Sequence, residues 1–165
     1  MPTSDQQLQE LLDRQAITQQ LFNYARSMDR LDRELGYAVF WPEARADYGE
    51  QMYVGDGAGF IDMCMQAHLG FVAHSHQFAN ISIWVDGDTA RSETYGDVTL
   101  RRVENGQAYD LRNLGRYVDR WEKRAGEWRI IDRQYLHDFD VSGPAEGAFA
   151  ATGRRDRLDP SYFPK

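Results

Sequence analysis

Apolar residues in the first part of the chain recur at three- and four-residue steps, whereas those in the second half alternate. Leu8, Leu11, Leu12, Ile17, Leu21, Phe22, Ala25 and Met28 keep the helical period and predict one amphipathic helix from Ser4 to about Met28. Ser4 or Asp5 is its expected N-cap, and it should end near Asp29-Arg30-Leu31-Asp32. A second, short helix is expected from Arg33 to Phe40, stopped by Pro42. Arg45-Ala46-Asp47-Tyr48 reads as a short extended segment. Asp56-Gly57-Ala58-Gly59 then opens a third helix, with Phe60, Ile61, Cys64, Ala67, His68 and Phe71 on its apolar face. From His76 the period becomes two. Strands are expected over His76–Val85, Ala90–Arg101, Tyr109–Lys123 and Trp128–Phe139, joined by turns at Asp86-Gly87, Asn105-Gly106 and Ala125-Gly126. Helices first and an antiparallel meander after them make an α+β pattern, with the helices covering one face of a curved sheet. Residues 1–140 form one domain in this reading, and 141–165 are a tail, poor in regular pattern, that lies across the body.

The candidate chemistry lies where the two periods meet. Histidine exchanges protons near neutrality, and a strand holds it more firmly than a loop. His76 is the candidate base. Its carboxylate partner would be Asp29, at the end of the first helix, where the negative end of the macrodipole makes an unpaired carboxylate unfavourable. The bland alternative for Asp29 is a solvated acid among Arg30, Asp32 and Arg33. Strict alternation would put His76, Phe78, Asn80, Ser82 and Trp84 on one face, a pocket wall, and Gln77, Ala79, Ile81, Ile83 and Val85 on the other. His68 and His74 read as structural. On the last strand, Arg129, Ile131, Arg133, Tyr135 and His137 would share a face. Arg133, between apolar Ile131 and aromatic Tyr135, needs an anionic partner if buried. It could pair with Asp29, bind a departing anion or enolate, or form a structural salt bridge with Asp97 or Asp119.

Composition narrows the classes. The 165 residues suit one sizeable core, and aromatic residues make up 13%, enough to line an apolar hollow. A net charge of −7 argues against nucleic acid as a partner. The N-terminus lacks the signal-peptide pattern and no apolar run approaches a membrane span, so a cytoplasmic protein without a membrane partner is expected. One cysteine, Cys64, excludes an internal disulfide. His74-x-His76 has no third ligand at a recognisable spacing, and no Gly-rich phosphate loop or Gly-x-Ser-x-Gly elbow is present. No metal and no cofactor is expected.

Three blocks carry a family resemblance. They are Arg14-Gln15-Ala16-Ile17 with Tyr24 to Asp32; His76-Gln77-Phe78-Ala79-Asn80 with Val85 to Ala90; and Gly115 to Trp121 with Gly126 to Ile130. Together they resemble the SnoaL-like group of the nuclear transport factor 2-like superfamily, over residues 5–140. The resemblance implies a cone-shaped α+β barrel, with N-terminal helices packed in a strongly curved, mainly antiparallel sheet around an apolar pocket. It also implies a homo-oligomer, dimer or trimer, through the outer sheet face. Within the group, the hexachlorocyclohexane dehydrochlorinase and scytalone dehydratase type implies a His-Asp dyad at His76 and Asp29 and a pocket arginine at Arg133. Tyr24 stands where the dehydrochlorinase pattern has a basic side chain, so water, enolate or aldehyde loss fits better than loss of chloride. The function implied is a cofactor-independent lyase for a hydrophobic cyclic or aromatic small molecule, with His76, Asp29, Arg133 and Tyr24 catalytic and Asn80, Trp84, Phe78 and Tyr135 lining the substrate site. The alternatives are a double-bond isomerase using the same base, and a non-catalytic small-ligand binder.

Overall fold

A computed structural model of the chain describes residues 3–147 and 151–163. Helix α1 runs Ser4–Arg30, α2 Arg33–Ala38, strand β1 Phe40–Asp47, β2 Val54–Asp56, α3 Gly57–His68, β3 Ala73–Asp86, β4 Thr89–Glu104, β5 Gln107–Arg124 and β6 Glu127–Pro144. One six-stranded sheet has the order β2-β1-β6-β5-β4-β3, antiparallel except where β1 meets β6. This is the expected α+β cone.

The start of α1 differs from expectation. Thr3, not Ser4 or Asp5, is the N-cap, in a capping box with Gln6. Leu8, Leu11 and Leu12 are exposed rather than core-facing. The buried stripe begins only at Asp13, whose carboxylate accepts from Trp128 Nε1 and Lys123 Nζ, each at 2.8 Å. It continues through Ile17, Leu21, Tyr24, Ala25 and Met28. Leu31, in the left-handed region at φ 52°, ends the helix. Asp32 then caps α2, which stops at Ala38, two residues short of the expected Phe40. Pro42 falls inside β1, at a register irregularity between Phe40 and Arg45 where its missing N–H costs no ladder bond.

The meander closes through two-residue turns. Asn105-Gly106 and Ala125-Gly126 both have left-handed φ at the two central positions, as type I′ hairpins require. The last strand runs beyond its expected limit at Phe139 and reaches Pro144, still paired with β5. The core gathers Ile17, Leu21, Met28, Phe40, Phe60, Ile61, Trp121, Trp128 and Ile130 between α1, α3 and the concave side of the sheet.

Two bulges correct the expected faces. The β3–β4 register shifts between Ala79 and Ser82, with Asn80 at φ 49°. Beyond it the alternation inverts. His76 and Phe78 face inward, but so do Ile81, Ile83 and Val85, while Trp84 is 60% exposed. Asn80 and Trp84 therefore do not line the pocket, contrary to expectation. A similar shift puts Ile131 on a bulge of β6, so Trp128 and Ile130 enter the core and Arg129 does not share a face with Arg133. Arg129 instead covers the Trp41 ring at 4.8 Å.

Of the expected tail, 148–150 and 164–165 lie outside the described residues. Residues 157–162 pack against the end of α1. Arg26 Nη2 donates to the Ser161 carbonyl at 3.0 Å, and Tyr162 Oη donates to Asp32 Oδ2 at 2.9 Å. No helix among the described residues is long and apolar enough to cross a membrane.

The backbone at the β3 bulge can be tested by substitution. Asn80→Val should cost about 1–2 kcal/mol, because a β-branched residue is strained at positive φ. Asn80→Gly should be neutral or slightly stabilising. Urea midpoints of the three proteins check this.

Candidate active site

A cavity of about 110 Å³ opens between α1, α3 and the concave face of the sheet. His76, His68, Tyr24, Tyr48, Tyr117 and Tyr135 supply most of its polar lining, with Asn113 and His137 also on the wall. Met52, 55% exposed, also borders the cavity.

Asp29 and His76 meet at its edge. His76 Nδ1 is 2.7 Å from Asp29 Oδ1, and the His76 main-chain N–H donates to both carboxylate oxygens at 3.1 and 3.0 Å. The histidine side chain is 5% exposed and the aspartate side chain 17%. A carboxylate facing Nδ1 selects the tautomer with the proton there, which leaves the Nε2 lone pair free. Asp29 is thus no solvated loop acid.

The far wall is phenolic. Tyr24 Oη and Tyr48 Oη are 3.1 Å apart. Tyr48 stacks on Tyr135, centroids 5.5 Å apart, and Tyr117 lies 5.9 Å from Tyr24. Glycines make room for these rings: a Cβ on Gly96 would fall 2.6 Å from the Tyr117 ring, and one on Gly115 would fall 2.5 Å from Tyr135 Oη. Burial pushes Tyr24, Tyr48 and Tyr117 above the ordinary phenol range, with their mutual proximity adding to the rise for Tyr24 and Tyr117. They stay protonated and can donate. Phe78 stands behind this wall rather than in it, with Tyr24 at 6.1 Å and Tyr117 at 5.0 Å.

Arg133 is fully buried beneath the wall. Its guanidinium forks onto Asp119, Nε to Oδ1 at 2.7 Å and Nη2 to Oδ2 at 2.8 Å, and lies under the Tyr24 and Tyr117 rings at 4.4 and 4.7 Å. Of the partners offered by the sequence, Asp119 is the one taken. Asp97 pairs with Arg112 on the opposite side of the sheet, and Asp29 is taken by His76. Burial disfavours the Arg133 charge, but Asp119 together with Tyr48 and Tyr24 more than offsets this and holds its pKa well above the ordinary value. Arg133 does not line the cavity, so it has no direct contact to offer a ligand there.

His68, on the last turn of α3, reads as structural from its position in the sequence, yet it borders the cavity 5.9 Å from the His76 ring. Burial first, then the neighbouring His74 and His76, pushes its pKa down to about 4. Burial, Arg155 and His76 lower that of His74 in the same sense. Cys64 borders the cavity too, and burial pushes its thiol up to about 12, which makes it a poor nucleophile. Among the described residues, no group of three or more His, Cys, Asp or Glu side chains could hold a metal ion. Tyr48, Tyr117, His68 and His137 line the cavity without having been singled out for it by the sequence. Tyr117 lies within a family block and Tyr48 on the short extended segment, but neither spacing indicates which way the ring faces.

The family model for the SnoaL-like domain matches residues 9–134, well over half of the chain. No curated protein sequence matches. Solved structures share the fold. A protein from Novosphingobium aromaticivorans DSM 12444, provisionally named a scytalone dehydratase, superposes with a TM-score of 0.71 at 21% identity, over 80% of this chain and 88% of that one. Hexachlorocyclohexane dehydrochlorinase LinA-type3 from Novosphingobium barchaimii LL02 gives 0.71 at 16% identity, over 88% and 98%. A nuclear transport factor 2-like superfamily protein from Salmonella enterica serovar Typhimurium LT2 gives 0.62 at 24% identity, over 85% and 96%.

The buried ion pair and the buried histidine each set a measurable expectation. Arg133→Met strands Asp119 in the core and should cost about 3–5 kcal/mol, while adding Asp119→Leu should recover much of it; chemical denaturation of both variants is the check. His68 has a folded pKa, about 4, below its unfolded value of about 6.5. Its contribution is therefore fully present above pH 6.5 and is lost as pH falls toward 4. Between about pH 7 and about pH 5 this amounts to about 2 kcal/mol, and His68→Gln should flatten that part of the stability profile.

Proposed function

The chain belongs to the SnoaL-like domain family, and on that footing we propose that it is a cofactor-independent lyase acting on a hydrophobic cyclic or aromatic small molecule. The observation that carries this reading is the 2.7 Å contact of His76 Nδ1 with Asp29 at the edge of an apolar cavity. His76 Nε2 takes a proton from carbon. The C–H electron pair becomes the new double bond as the leaving group departs with its own bonding pair. Asp29 keeps the imidazole in the productive tautomer and stabilises the imidazolium that forms. Base catalysis of this kind contributes about 10²–10⁴ in rate. Tyr24 and Tyr48 share one hydrogen bond, so one phenol donates to the other and the accepting phenol keeps its O–H to donate to an oxygen that gains charge. Arg133 acts through them, as a buried cation beneath the Tyr24 ring, and not by contact. The dehydrochlorinase and dehydratase names among the fold neighbours favour an elimination.

The size of the hollow narrows the substrate. An engineered cavity of about 150 Å³ holds benzene. At about 110 Å³ the open hollow is smaller than that, so it takes at most one small ring, with the rest of the molecule reaching out past Met52. Assembly of copies through the outer sheet face, where Trp84 and Tyr95 are exposed, belongs to the same proposal, as does a cytoplasmic location.

The test begins with thermal-shift screening of single-ring hydrophobic compounds, since a ligand of the folded state raises the melting temperature. Hits are then assayed for turnover. His76→Ala and Asp29→Asn should each lower kcat/KM by about 10²–10⁴ while moving the melting temperature little. Undiminished turnover in either variant would sink the scheme. A product of unchanged mass would assign the base to an isomerase, and ligand binding without turnover in any variant would leave a binding protein.

A further inference from the structure

A second concavity, sharing no lining residue with the first, lies between the end of α1 and residues 155–162. It is an open cleft of about 610 Å³, and four arginines border it: Arg30, Arg33, Arg155 and Arg157. On a chain of net charge −7 such a gathering is unexpected unless each cation is neutralised locally. Two of them are. Arg157 Nη2 reaches Asp32 Oδ1 at 3.0 Å and Glu34 at 3.4 Å, and Arg33 reaches Asp62 at 3.1 Å.

Of the other two, Arg30 has only a long ion pair and Arg155 has none among the described residues. Arg155 donates to the His68 carbonyl at 3.0 Å and stands 3.3 Å from His74 Nε2, and no carboxylate pairs with it among the described residues. Arg30 Nε is buried and without a hydrogen-bond partner among the described residues; its nearest carboxylate, Asp159 Oδ1, is 3.6 Å away. Asp159 is committed elsewhere, accepting from the main-chain N–H groups of Arg154 and Ser161. Asp156 is held by Arg154 and by the Leu158 N–H. Asp32 is likewise saturated, by Arg157, Tyr162 and the Leu35 N–H. Glu34, exposed on the rim and 3.4 Å from Arg157, is the loosest of the acids, while the Arg30 and Arg155 guanidinium groups retain donors that no carboxylate bonds closely among the described residues. Guanidinium groups favour oxyanions, because their planar N–H forks match phosphate and carboxylate oxygens.

We propose that this cleft is an oxyanion-binding site, with Arg30 and Arg155 as its principal donors and a phosphate or carboxylate group as its ligand. Arg155 joins it to the histidine cluster, since the same side chain touches both His74 and the His68 carbonyl. The site does not depend on the proposed lyase activity.

The test is calorimetric titration of the whole chain, at fixed ionic strength, with inorganic pyrophosphate and separately with succinate. Saturable binding of one is expected, and the tighter of the two assigns phosphate or carboxylate. Arg155→Gln and Arg30→Gln should each weaken it at least about tenfold, as losing a charge-assisted contact does. Arg116→Gln, a remote arginine held by Glu93 and Asp138, should not. Because the variants could loosen residues 155–162, arginine labelling of the unmutated protein with phenylglyoxal gives a second reading. The bound anion should protect Arg30 and Arg155 and leave Arg116 reactive. No saturable binding of either anion, equal weakening in the Arg116 control, or protection confined to other arginines would overturn the proposal.

Discussion

One carboxylate ties the helical half of the molecule to the sheet. β3 is an edge strand, paired among the described residues with β4 alone, so half of its main-chain N–H groups point away from the ladder. Asp29 accepts one of them, that of His76, with both oxygens, and the imidazole of the same residue with one. The end of α1 is thereby fixed to the start of β3, and the ring is fixed relative to its own backbone. Three contacts from one acid to one residue leave His76 little rotational freedom. The left-handed turn at Leu31 then takes the chain away within one residue, which keeps Asp29 at the helix end where this reach is possible.

The electrostatics of the cavity follow from what lies beneath it. Arg133 would be a strong anion site if it faced the hollow, but its charge is matched by Asp119 and hidden under Tyr24 and Tyr117. Behind the wall there is a paired dipole instead of a free cation. A tyrosine rather than a basic side chain at position 24 extends the same character, since a phenol donates without carrying charge. The hollow is thus apolar, weakly donating and close to neutral, apart from Asp29 at its edge.

Periodicity made the order of elements and the turns legible. The switch from a helical period to a period of two marks the helix–sheet boundary, and three Gly-containing turns mark the hairpins. The Asp29–His76 contact was accessible as a family expectation, and the residues involved are those observed. The faces of the strands were not legible throughout. Alternation assumes an uninterrupted ladder, and a single inserted residue reverses every position beyond it. Asn80 and Ile131 each do this, which moved Trp84 outward and Ile130 inward. The choice between Asp97 and Asp119 for Arg133 was a matter of register: Asp119 lies directly opposite Arg133 across β5 and β6, whereas Asp97 faces the other side. Leu8, Leu11 and Leu12 show a further limit. Their helical period is real, but no part of the sheet lies beneath the first turns of α1 to bury them.

These constraints bear on the departing group in the proposed elimination. A halide leaves with its charge spread over a large ion and accepts weaker, less directional hydrogen bonds than an oxygen anion, so a nearby cation favours it more. The cation available is buried, paired and screened by two aromatic rings. An oxygen leaving group concentrates its charge on an atom that phenolic O–H groups can reach, and hydrogen bonds to charged oxygen strengthen as the charge grows. The Tyr24–Tyr48 pair, 3.1 Å apart and held protonated by burial, supplies one such donor, polarised by its partner. In the elimination we propose, this donor suits an oxygen leaving group such as water better than a halide, because hydrogen bonds from phenols strengthen most toward a localised oxygen charge.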